Sequence, residues 1–554
     1  MKPAASHLKC FFILIAVILL TGVELQAQFT SSNLPIILIE TDPVGPITKE
    51  RIIATMKVVN NGEQRNLVSG PYNEYDGQIA IKGRGSSSWD NFEKKGYTLE
   101  TQLFTGENNN VSLLGMPAEN DWVLHGPYAD KTLMKNAFVY TIGTELGRYA
   151  PRHGFCELLI NGEYKGVYLL VERIKRDANR VDIATLNPDE NTGDDLTGGY
   201  IMRIDRDNGD GYSWKADFGY DLTYFNYYYP DAADMSVTQR DYIRNYIEQF
   251  EFALATRPFD DTTNGYRAFI DLASFIDYFI MQELTKNIDA YRLSTYFYKD
   301  KNSKGGKLTM GPIWDFNLSC GGINIGFGDW GAQAEDWVSD ELGPSNGVPF
   351  WWSWFLYDNY YNSCLKERWA GLRDSVINEA NFNTVIDGYA ALLDEAKERN
   401  FAIYPLADPV WGNNHSGMTY AQEVDTLKGY LKARIAWMDA TINSLPAGEE
   451  CLECFSDCLP VVLGLELAEN EISVFPNPAK EVIKMSFPAG TLVGPLFFEI
   501  YDGSGRILLS LSTTINGQQT ELSIDLRSIE QQGLMTYSIS SARGILHKGT
   551  LVKQ

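Results

Sequence analysis

Two aspartates, Asp289 and Asp315, flank a predicted β-hairpin at a spacing that suits phosphoryl transfer. The run Glu283 to Arg292 ends a predicted helix, and a turn at Lys304-Gly-Gly306 joins the two strands that follow. In such a pair one aspartate orients and deprotonates a hydroxyl group, while the other holds Mg²⁺ or Mn²⁺ against phosphates. Aspartates that cap turns have the same spacing, so the pattern by itself leaves both interpretations open.

A second block runs from Ile81 to Trp89 and combines glycines, serines and cations, with Lys95 close behind it. Its glycines predict a flexible turn whose backbone N–H groups and serine hydroxyls would surround an anion. Arg84 and Lys95 would supply the positive charge, and we assign both to nucleotide phosphates. An exposed hairpin tip explains the same composition equally well.

Acidic residues occur at the ends of two predicted strands. Asn161-Gly162 between apolar runs predicts a tight hairpin whose second strand ends at Glu172, which we also assign, on charge, to nucleotide binding. The run Asp205 to Gly211 is rich in oxygen ligands. It departs from the EF-hand because Gly209 and Ala216 stand at ligand positions, so we interpret it as a loop first and a calcium site second.

Several other kinds of chemistry are excluded. The sequence has no phosphate-binding G-x-x-x-x-G-K-[ST], no G-x-G-x-x-G that opens a helix, no H-R-D and no G-x-S-x-G. The four histidines beyond residue 27 are scattered, which argues against zinc hydrolysis. With 47 basic and 72 acidic side chains, the formal charge is −25, so nucleic-acid binding lacks its main electrostatic source.

The elements that must position these residues predict an α+β fold class. Short β-rich runs with Asn/Gly turns come first, and helical patterns with apolar residues at three- and four-residue spacing come later. The predicted early strands are 34–41 and 52–59, and the predicted helices are 237–256, 272–287, 361–379, 382–399 and 421–445.

The first 27 residues predict a secretory signal peptide. Lys2 and Lys9 precede the apolar run Cys10 to Leu20, and Ala27 offers a small-residue cleavage site before Gln28. That run is too short for a permanent membrane helix, so we expect no transmembrane helix once the signal is removed. The predicted organisation continues with a catalytic-type domain at 28–445 and a cysteine-containing linker at 446–470.

Three linker cysteines, Cys451, Cys454 and Cys458, lie within eight residues. Disulfide bonding is favoured over a metal knuckle because export leads to an oxidising compartment, but the spacing does not give the pairing. Residues 471–554 form a separate module of short alternating strands, which predicts a small all-β sandwich. Its Val474-Phe-Pro-Asn-Pro478 opening, its turn from Tyr501 to Arg506 and its last strands resemble the C-terminal sorting domain of type IX secretion.

The region from about 34 to 445 resembles the spore coat protein H (CotH) kinase family, an atypical protein-kinase-like family. The resemblance rests on several distinctive motifs in one order. They are Arg84 to Trp89 with Lys94-Lys95, Asp121-Trp-Val-Leu124 with Lys135-Asn136, Asn161-Gly162 to Glu172, Thr197-Gly-Gly-Tyr200, Asn287-Ile-Asp289, and Gly311-Pro-Ile-Trp-Asp-Phe316.

The resemblance implies a kinase-like catalytic domain that transfers phosphate from ATP to serines of exported proteins. It makes Asp289 the catalytic aspartate and Asp315 the metal-binding aspartate, with Mg²⁺ or Mn²⁺ as the cofactor. Asn317 stands where the family often has a second aspartate, and its amide oxygen would ligate the cation without adding negative charge. The tail implies type IX secretion machinery as a partner and, after passage through the periplasm, a secreted or outer-membrane surface location.

A rival interpretation is a catalytically inactive protein on the same fold that binds glycans at the surface or builds a coat or matrix. Two aromatic runs, Tyr224 to Tyr229 and Phe350 to Phe355, support glycan binding because flat rings stack on sugar faces. Such runs are more often part of a hydrophobic core. Their burial in the folded protein therefore discriminates between the two interpretations.

Overall fold

The computed structural model describes residues 29–553 apart from 63, 217–221, 257–258, 322–332, 411–417, 454, 456–472, 476–478, 487–492, 502–506, 517–520, 528, 530–532 and 542–543. The chain divides into two compact units. The first contains 29–126, 154–170 and 392–405, and the second contains 127–153, 171–391 and the residues from 406 onward. The predicted signal peptide lies outside the described residues.

The first unit is built on a closed barrel of seven strands in the order β2-β3-β5-β6-β7-β9-β8. β2 pairs parallel with β8, while the pairings β2–β3, β3–β5, β5–β6 and β6–β7 are antiparallel. Alternating apolar side chains point inward and form one buried cluster that includes Ile39, Met56, Leu99 and Trp122. The barrel strands are β2 Ile36–Thr41, β3 Ile52–Val59, β5 Tyr75–Arg84, β6 Gly96–Gln102, β7 Asp121–His125, β8 His153–Ile160 and β9 Glu163–Glu172.

Three further elements complete this unit. Helix α1 (Ser87–Asn91) follows β5, and the two-residue strands β1 (Ser31–Ser32) and β4 (Asn66–Leu67) pair with each other. Helix α9 (Asp394–Ile403) contacts the barrel through Arg399, which donates two hydrogen bonds of 2.9 Å to the buried carboxylate of Glu157. The Asn161-Gly162 hairpin is confirmed, because both residues have positive φ between β8 and β9.

The second unit contains a five-stranded antiparallel sheet in the order β11-β12-β10-β13-β14 and most of the helices. Its strands are β10 Tyr200–Asp205, β11 Trp214–Lys215, β12 Tyr224–Tyr229, β13 Thr295–Lys299 and β14 Leu308–Met310. Its helices are α2 Lys135–Glu145, α3 Val237–Ala255, α4 Leu272–Thr285, α5 Val338–Leu342, α6 Trp351–Phe355, α7 Asn359–Arg373, α8 Glu379–Leu392 and α10 Tyr420–Ser444.

Local sequence explains where the long helices begin. Ser236 and Gln239 form a capping box before α3, and Thr419 and Gln422 form one before α10. The predicted single helix 382–399 is wrong, because α8 ends at Leu392 and α9 begins at Asp394. Both helices continue the apolar spacing across Leu393, so the periodicity conceals the break.

The described part of the tail forms two antiparallel sheets, in the orders β15-β16-β19 and β18-β17-β20-β21. Buried side chains such as Ile483, Phe498, Ile524 and Ile539 form its own hydrophobic cluster. The strands are β15 Ser473–Phe475, β16 Val482–Ser486, β17 Val493–Tyr501, β18 Ile507–Asn516, β19 Glu521–Asp525, β20 Gly533–Ser541 and β21 Gly544–Lys553.

One linker cysteine has a defined partner. Cys451 forms a disulfide with Cys364 of α7, 87 residues earlier in the chain. Disulfide bonding of this cysteine is therefore confirmed, with a partner outside the linker. Cys454 and Cys458 lie outside the described residues, and Cys156 and Cys320 are buried free thiols.

Candidate catalytic site

Asp289 lies in the short loop that follows α4. The helix ends at Thr285, and its capping residue Lys286 adopts the left-handed conformation with φ 44° and turns the chain toward Asp289. Arg292 donates a hydrogen bond of 2.9 Å to Oδ1 of Asp289. The side chain is 23% exposed, and within the described ranges its Oδ2 has no hydrogen-bond partner.

Burial raises the pKa of the Asp289 carboxyl, while the positive charges of Arg292 and Arg206 lower it and Asp205 raises it. Arg206 and Asp205 belong to the acidic loop after β10, so that loop lies close enough to Asp289 to act on it electrostatically. A carboxylate with a raised pKa accepts a proton more readily, which is the property that a general base needs.

Asp315 has a backbone that only specific contacts can maintain. Its φ is 68°, in the left-handed region that costs a non-glycine residue about 1–2 kcal/mol. Its N–H donates to the hydroxyl oxygen of Tyr140 at 3.2 Å, and its carbonyl accepts from Nδ2 of Asn287 at 3.3 Å. Strained residues of this kind cluster at functional sites, where the surrounding structure holds them.

Asn287 connects the two aspartates. Its Oδ1 accepts from the backbone N–H of Asp289 at 3.2 Å, while its Nδ2 donates to the carbonyl of Asp315. One buried amide side chain thus bonds to the backbones of both residues. The structure therefore brings the backbones of Asp289 and Asp315 together.

Helix α2 holds the residues that follow Asp315. Asn136 accepts a hydrogen bond of 2.6 Å from the N–H of Phe316, and the ammonium of Lys135 donates to the carbonyl of Ser319 at 2.7 Å. Asn317 lies between these two anchors and is half-buried. Its amide is consequently carried on a loop that is fixed on both sides.

The donor set fits a small hard cation. No group of three or more His, Cys, Asp or Glu side chains suited to a metal occurs among the described residues. Mg²⁺ does not need one, since it commonly binds through one or two carboxylates and completes its shell with water and substrate phosphates. The carboxylate of Asp315 and the amide oxygen of Asn317 would supply such a set.

Glu172 is fully buried and already engaged. Its Oε1 accepts two hydrogen bonds from Arg152, at 3.0 and 2.8 Å, and its Oε2 accepts from the hydroxyl of Tyr149 at 3.1 Å. The guanidinium of Arg180 lies 3.8 Å away. The carboxylate is therefore committed to a buried ion-pair network rather than directed at a ligand.

Arg84 and Lys95 lie at the same end of the barrel of the first unit. Arg84 ends β5 and pairs with Gly96 of β6, one residue after Lys95. Lys95 donates from Nζ to the carbonyl of Trp89 at 2.5 Å and lies 5.5 Å from that ring. Gly83 serves packing, because a Cβ there would lie 2.2 Å from the Trp89 ring, whereas Gly85 has φ 115°, a conformation that favours glycine.

Two further residues lie near these cations, and only Lys94 adds positive charge. Lys94, rather than Lys95, is the buried lysine; it donates to Oδ1 of Asn400 at 2.6 Å and lies over the rings of Tyr168 and Tyr404. Burial, together with the positive charges of Lys94 and Arg84, lowers the pKa of His125 to about 4. The imidazole is therefore neutral at physiological pH.

Sequence reasoning missed several residues of the site. Tyr140, Asn136 and Lys135 are more than 170 positions from the loop they hold, so no local pattern connects them to Asp315. Lys135-Asn136 was part of the family resemblance, and that was the only available signal. Asn287 stands two positions before Asp289, but its two bonds become evident only in the folded chain.

The other sequence hypotheses also have outcomes. The loop 205–211 is closed by its own Asx-type bonds, in which Asp207 accepts from Gly209 and Asp210 accepts from Tyr212, each at 2.8 Å. In Phe350 to Phe355, the rings of Trp351, Trp352 and Phe355 are fully buried, so this run is core and gives glycan binding no support. The tyrosines of β12 are half-buried.

A search of protein families finds two matches. The model described as CotH kinase protein matches residues 79–438, and that described as Secretion system C-terminal sorting domain matches residues 473–553. No curated protein matches the chain. No helix in the described ranges is long and apolar enough to cross a membrane.

Two of the solved structures that match illustrate how weak the likeness is. Dimeric latent PorU from Porphyromonas gingivalis is 23% identical over 15% of this chain, which spans only 9% of the PorU chain, with a TM-score of 0.13. The alkylpurine DNA glycosylase AlkC of Pseudomonas fluorescens, bound to DNA containing an abasic site analog, is 12% identical over 36% of this chain and 77% of its own, with a TM-score of 0.12. Neither TM-score indicates a shared overall fold.

Proposed function

The chain belongs to the CotH kinase protein family, and from this premise we propose that it is an exported atypical protein kinase. It transfers the γ-phosphate of ATP to serine or threonine hydroxyls of other exported proteins. Its sorting domain identifies it as a type IX secretion protein of the cell surface or medium. The observation that carries the proposal is the Asn287 amide, which bonds to the backbones of both Asp289 and Asp315.

Asp289 acts as the base that orients and deprotonates the acceptor hydroxyl. Arg292 occupies its Oδ1, which leaves Oδ2 for the hydroxyl proton. The hydroxyl oxygen forms a bond to the γ-phosphorus, the bond between that phosphorus and the bridging oxygen of ADP breaks, and ADP leaves with the electron pair. The proton passes to Asp289, whose raised pKa favours its acceptance.

Asp315 and Asn317 would hold Mg²⁺ or Mn²⁺, which when bound neutralises charge on the phosphates. The left-handed backbone of Asp315 and the hydrogen bonds from α2 to residues 316–319 hold the main chain from which the Asp315 carboxylate projects. Little reorganisation is then needed at the moment of transfer, which is the main source of catalysis in such reactions.

Arg84 and Lys95 take the role of binding nucleotide phosphates, supported by the positive charge that they share with Lys94. In an acidic chain this cationic end of the barrel attracts an anion that the remaining surface repels. Glu172 contributes as a positioning residue, because its carboxylate orients Arg152, whose side chain is 39% exposed.

The experiment compares the wild type with Asp289→Asn, Asp315→Asn and Asp374→Asn. Each full-length protein is incubated with γ-labelled ATP and Mn²⁺, with dephosphorylated casein and a library of serine peptides as acceptors. Asp374 is an exposed carboxylate at the end of α7 and serves as the matched control. We expect labelling by the wild type and the control, and a loss of about 100-fold or more in the two site variants.

Two results would contradict the proposal. Absence of labelling by the wild type, or equal labelling by all four proteins, would exclude catalysis by these aspartates. The first result would favour the alternative function, a catalytically inactive surface-binding or structural protein on the same fold.

A further inference from the structure

A cavity lies beside the segment that leads into Asp315, entirely within the second unit. Its empty volume is about 560 Å³, a figure that includes the mouth that opens to solvent. Its walls are largely apolar and include Leu146, Met281, Met310 and Ile313. None of the residues assigned to phosphoryl transfer lines it.

Two segments that fix the backbone of Asp315 form part of the cavity wall. Helix α2 bonds to Asp315 through Tyr140, and Gly143 of the same helix lines the cavity three residues later. A Cβ at Gly143 would lie 2.5 Å from Cδ1 of Ile313, so the helix and the segment before Asp315 are in direct contact there. A molecule in the cavity touches both.

The ionic contacts of the wall favour a neutral ligand. Nε of Arg148 donates to Oδ2 of Asp277 at 2.8 Å, and the buried Arg180 lies 3.8 Å from Glu172. A charged ligand would be desolvated beside ion pairs that are already formed, which is costly. Asp182 is exposed at the cavity, where its carboxylate is available as the acceptor for a donor group on the ligand.

The remaining contacts favour an aromatic ring. Tyr149, Tyr278 and Tyr298 line the cavity together with Met281 and Met310, and both kinds of side chain pack well against flat rings. We propose that the cavity binds a small neutral aromatic molecule with one hydrogen-bond donor, of the phenol or indole class. A ligand bound in the cavity stabilises the backbone of Asp315 that Tyr140 holds, and this effect rests on the proposed function.

The binding test uses 4-fluorophenol and the full-length protein without nucleotide or metal. Saturable broadening of the fluorine NMR signal reports binding. The anion 4-fluorobenzoate, of similar size, is expected to bind about tenfold more weakly because its charge must be desolvated. Tighter binding of the benzoate would overturn the assignment of a neutral ligand.

Gly143→Ala is the variant that fills the cavity. Its methyl group displaces the flexible end of Ile313, and alanine favours the helix, so the protein should remain folded. We expect 4-fluorophenol to bind about tenfold more weakly. Gly388→Ala in α8 is the matched control, since a Cβ there meets nothing within 4 Å, and its binding should equal that of the wild type.

Ala150→Leu fills the cavity at a second position. Absence of broadening with the wild type overturns the proposal, and so does equal binding by the wild type and both filling variants.

Saturating 4-fluorophenol should raise the Mn²⁺ affinity, measured by electron paramagnetic resonance, about fivefold. An unchanged affinity overturns the link to Asp315. The NMR titration requires no catalysis, so failure of the kinase proposal and failure of the binding site are distinguishable.

Discussion

At the scale of single residues, the amide of Asn287 accounts for how two aspartates 26 positions apart meet. Its Oδ1 accepts from the N–H of Asp289 and its Nδ2 donates to the carbonyl of Asp315, so both polar atoms of the amide are bonded. Asn136 differs, because only its Oδ1 takes part in fixing this loop, where it accepts from the N–H of Phe316. The two asparagines therefore respond differently to the same substitution.

Asn287→Asp removes the donor and places a carboxylate oxygen against the carbonyl of Asp315. We expect kcat to fall about 10- to 100-fold, corresponding to ~1.4–2.7 kcal/mol, with a smaller change in the KM for ATP. Asn136→Asp retains its acceptor and should lose less activity. Steady-state kinetics of both variants make the comparison, and equal losses would contradict a linking role for Asn287.

The pH dependence of the proposed reaction follows from Asp289. As a base it must be ionised, so activity falls as the pH falls through its pKa, which burial raises. Arg292 opposes that rise, so Arg292→Gln should move the acid limb of the kcat/KM profile to higher pH. Arg292→Lys retains the charge and should leave the limb near its wild-type position. A limb that does not move in Arg292→Gln would show that another group controls it.

At the scale of elements, α4 and α10 are joined through one buried ion pair. Arg434 of α10 donates to Oε2 of Glu283 at 3.2 Å and to the backbone carbonyls of Ala334 and Asp336 at 2.7 and 2.8 Å. Glu283 in turn accepts from the N–H of Val338 at 2.7 Å. The pair thus fixes the segment before α5 against the helix that leads to Asp289.

Arg434→Met leaves the Glu283 carboxylate buried without its main cation, so we expect a loss of about 3–5 kcal/mol in the free energy of unfolding. The double variant Arg434→Met with Glu283→Gln should recover part of this loss, because the uncompensated charge is gone. Urea unfolding provides the measurement. The control Arg527→Met, at the exposed Asp525 pair, should leave the urea unfolding midpoint close to its wild-type value. Equal effects of the two arginine substitutions would refute the distinction.

At the scale of the whole molecule, the chain must survive outside the cell. The disulfide between Cys364 and Cys451 ties the residues after α10 back to α7, and the N–H of Gly448 donates to the carbonyl of Asn359 at 3.0 Å in the same region. Both cysteines of this disulfide precede the sorting domain in the sequence. The disulfide therefore joins a helix inside the kinase-family match to the segment that follows that match, and lies outside the export module.

Closing a loop of 87 residues should stabilise the folded chain by about 4–5 kcal/mol through the entropy of the unfolded state. Reduction with dithiothreitol should accordingly lower the thermal midpoint of the wild type. The double variant Cys364→Ala with Cys451→Ala should unfold at the lower temperature with or without the reductant. A similar effect of the reductant on both proteins would assign the stabilisation to other cysteines.

The sequence by itself determined the kind and order of most elements. Apolar spacing predicted the helices 237–255, 272–285 and 420–444 to within a few residues, and alternation predicted β3 and several tail strands. These patterns are local, because a helix or strand must turn one face to the core over successive residues. The motifs also determined the family and the sorting tail.

Only the tertiary structure decided which distant side chains meet. The contact of Tyr140 with Asp315 spans 175 positions, and that of Lys135 with Ser319 spans 184. It also assigned Glu172 to Arg152 and paired Cys451 with Cys364. Charge and spacing cannot predict such partners, because a carboxylate or thiol suits many partners and packing decides which of them come within bonding distance.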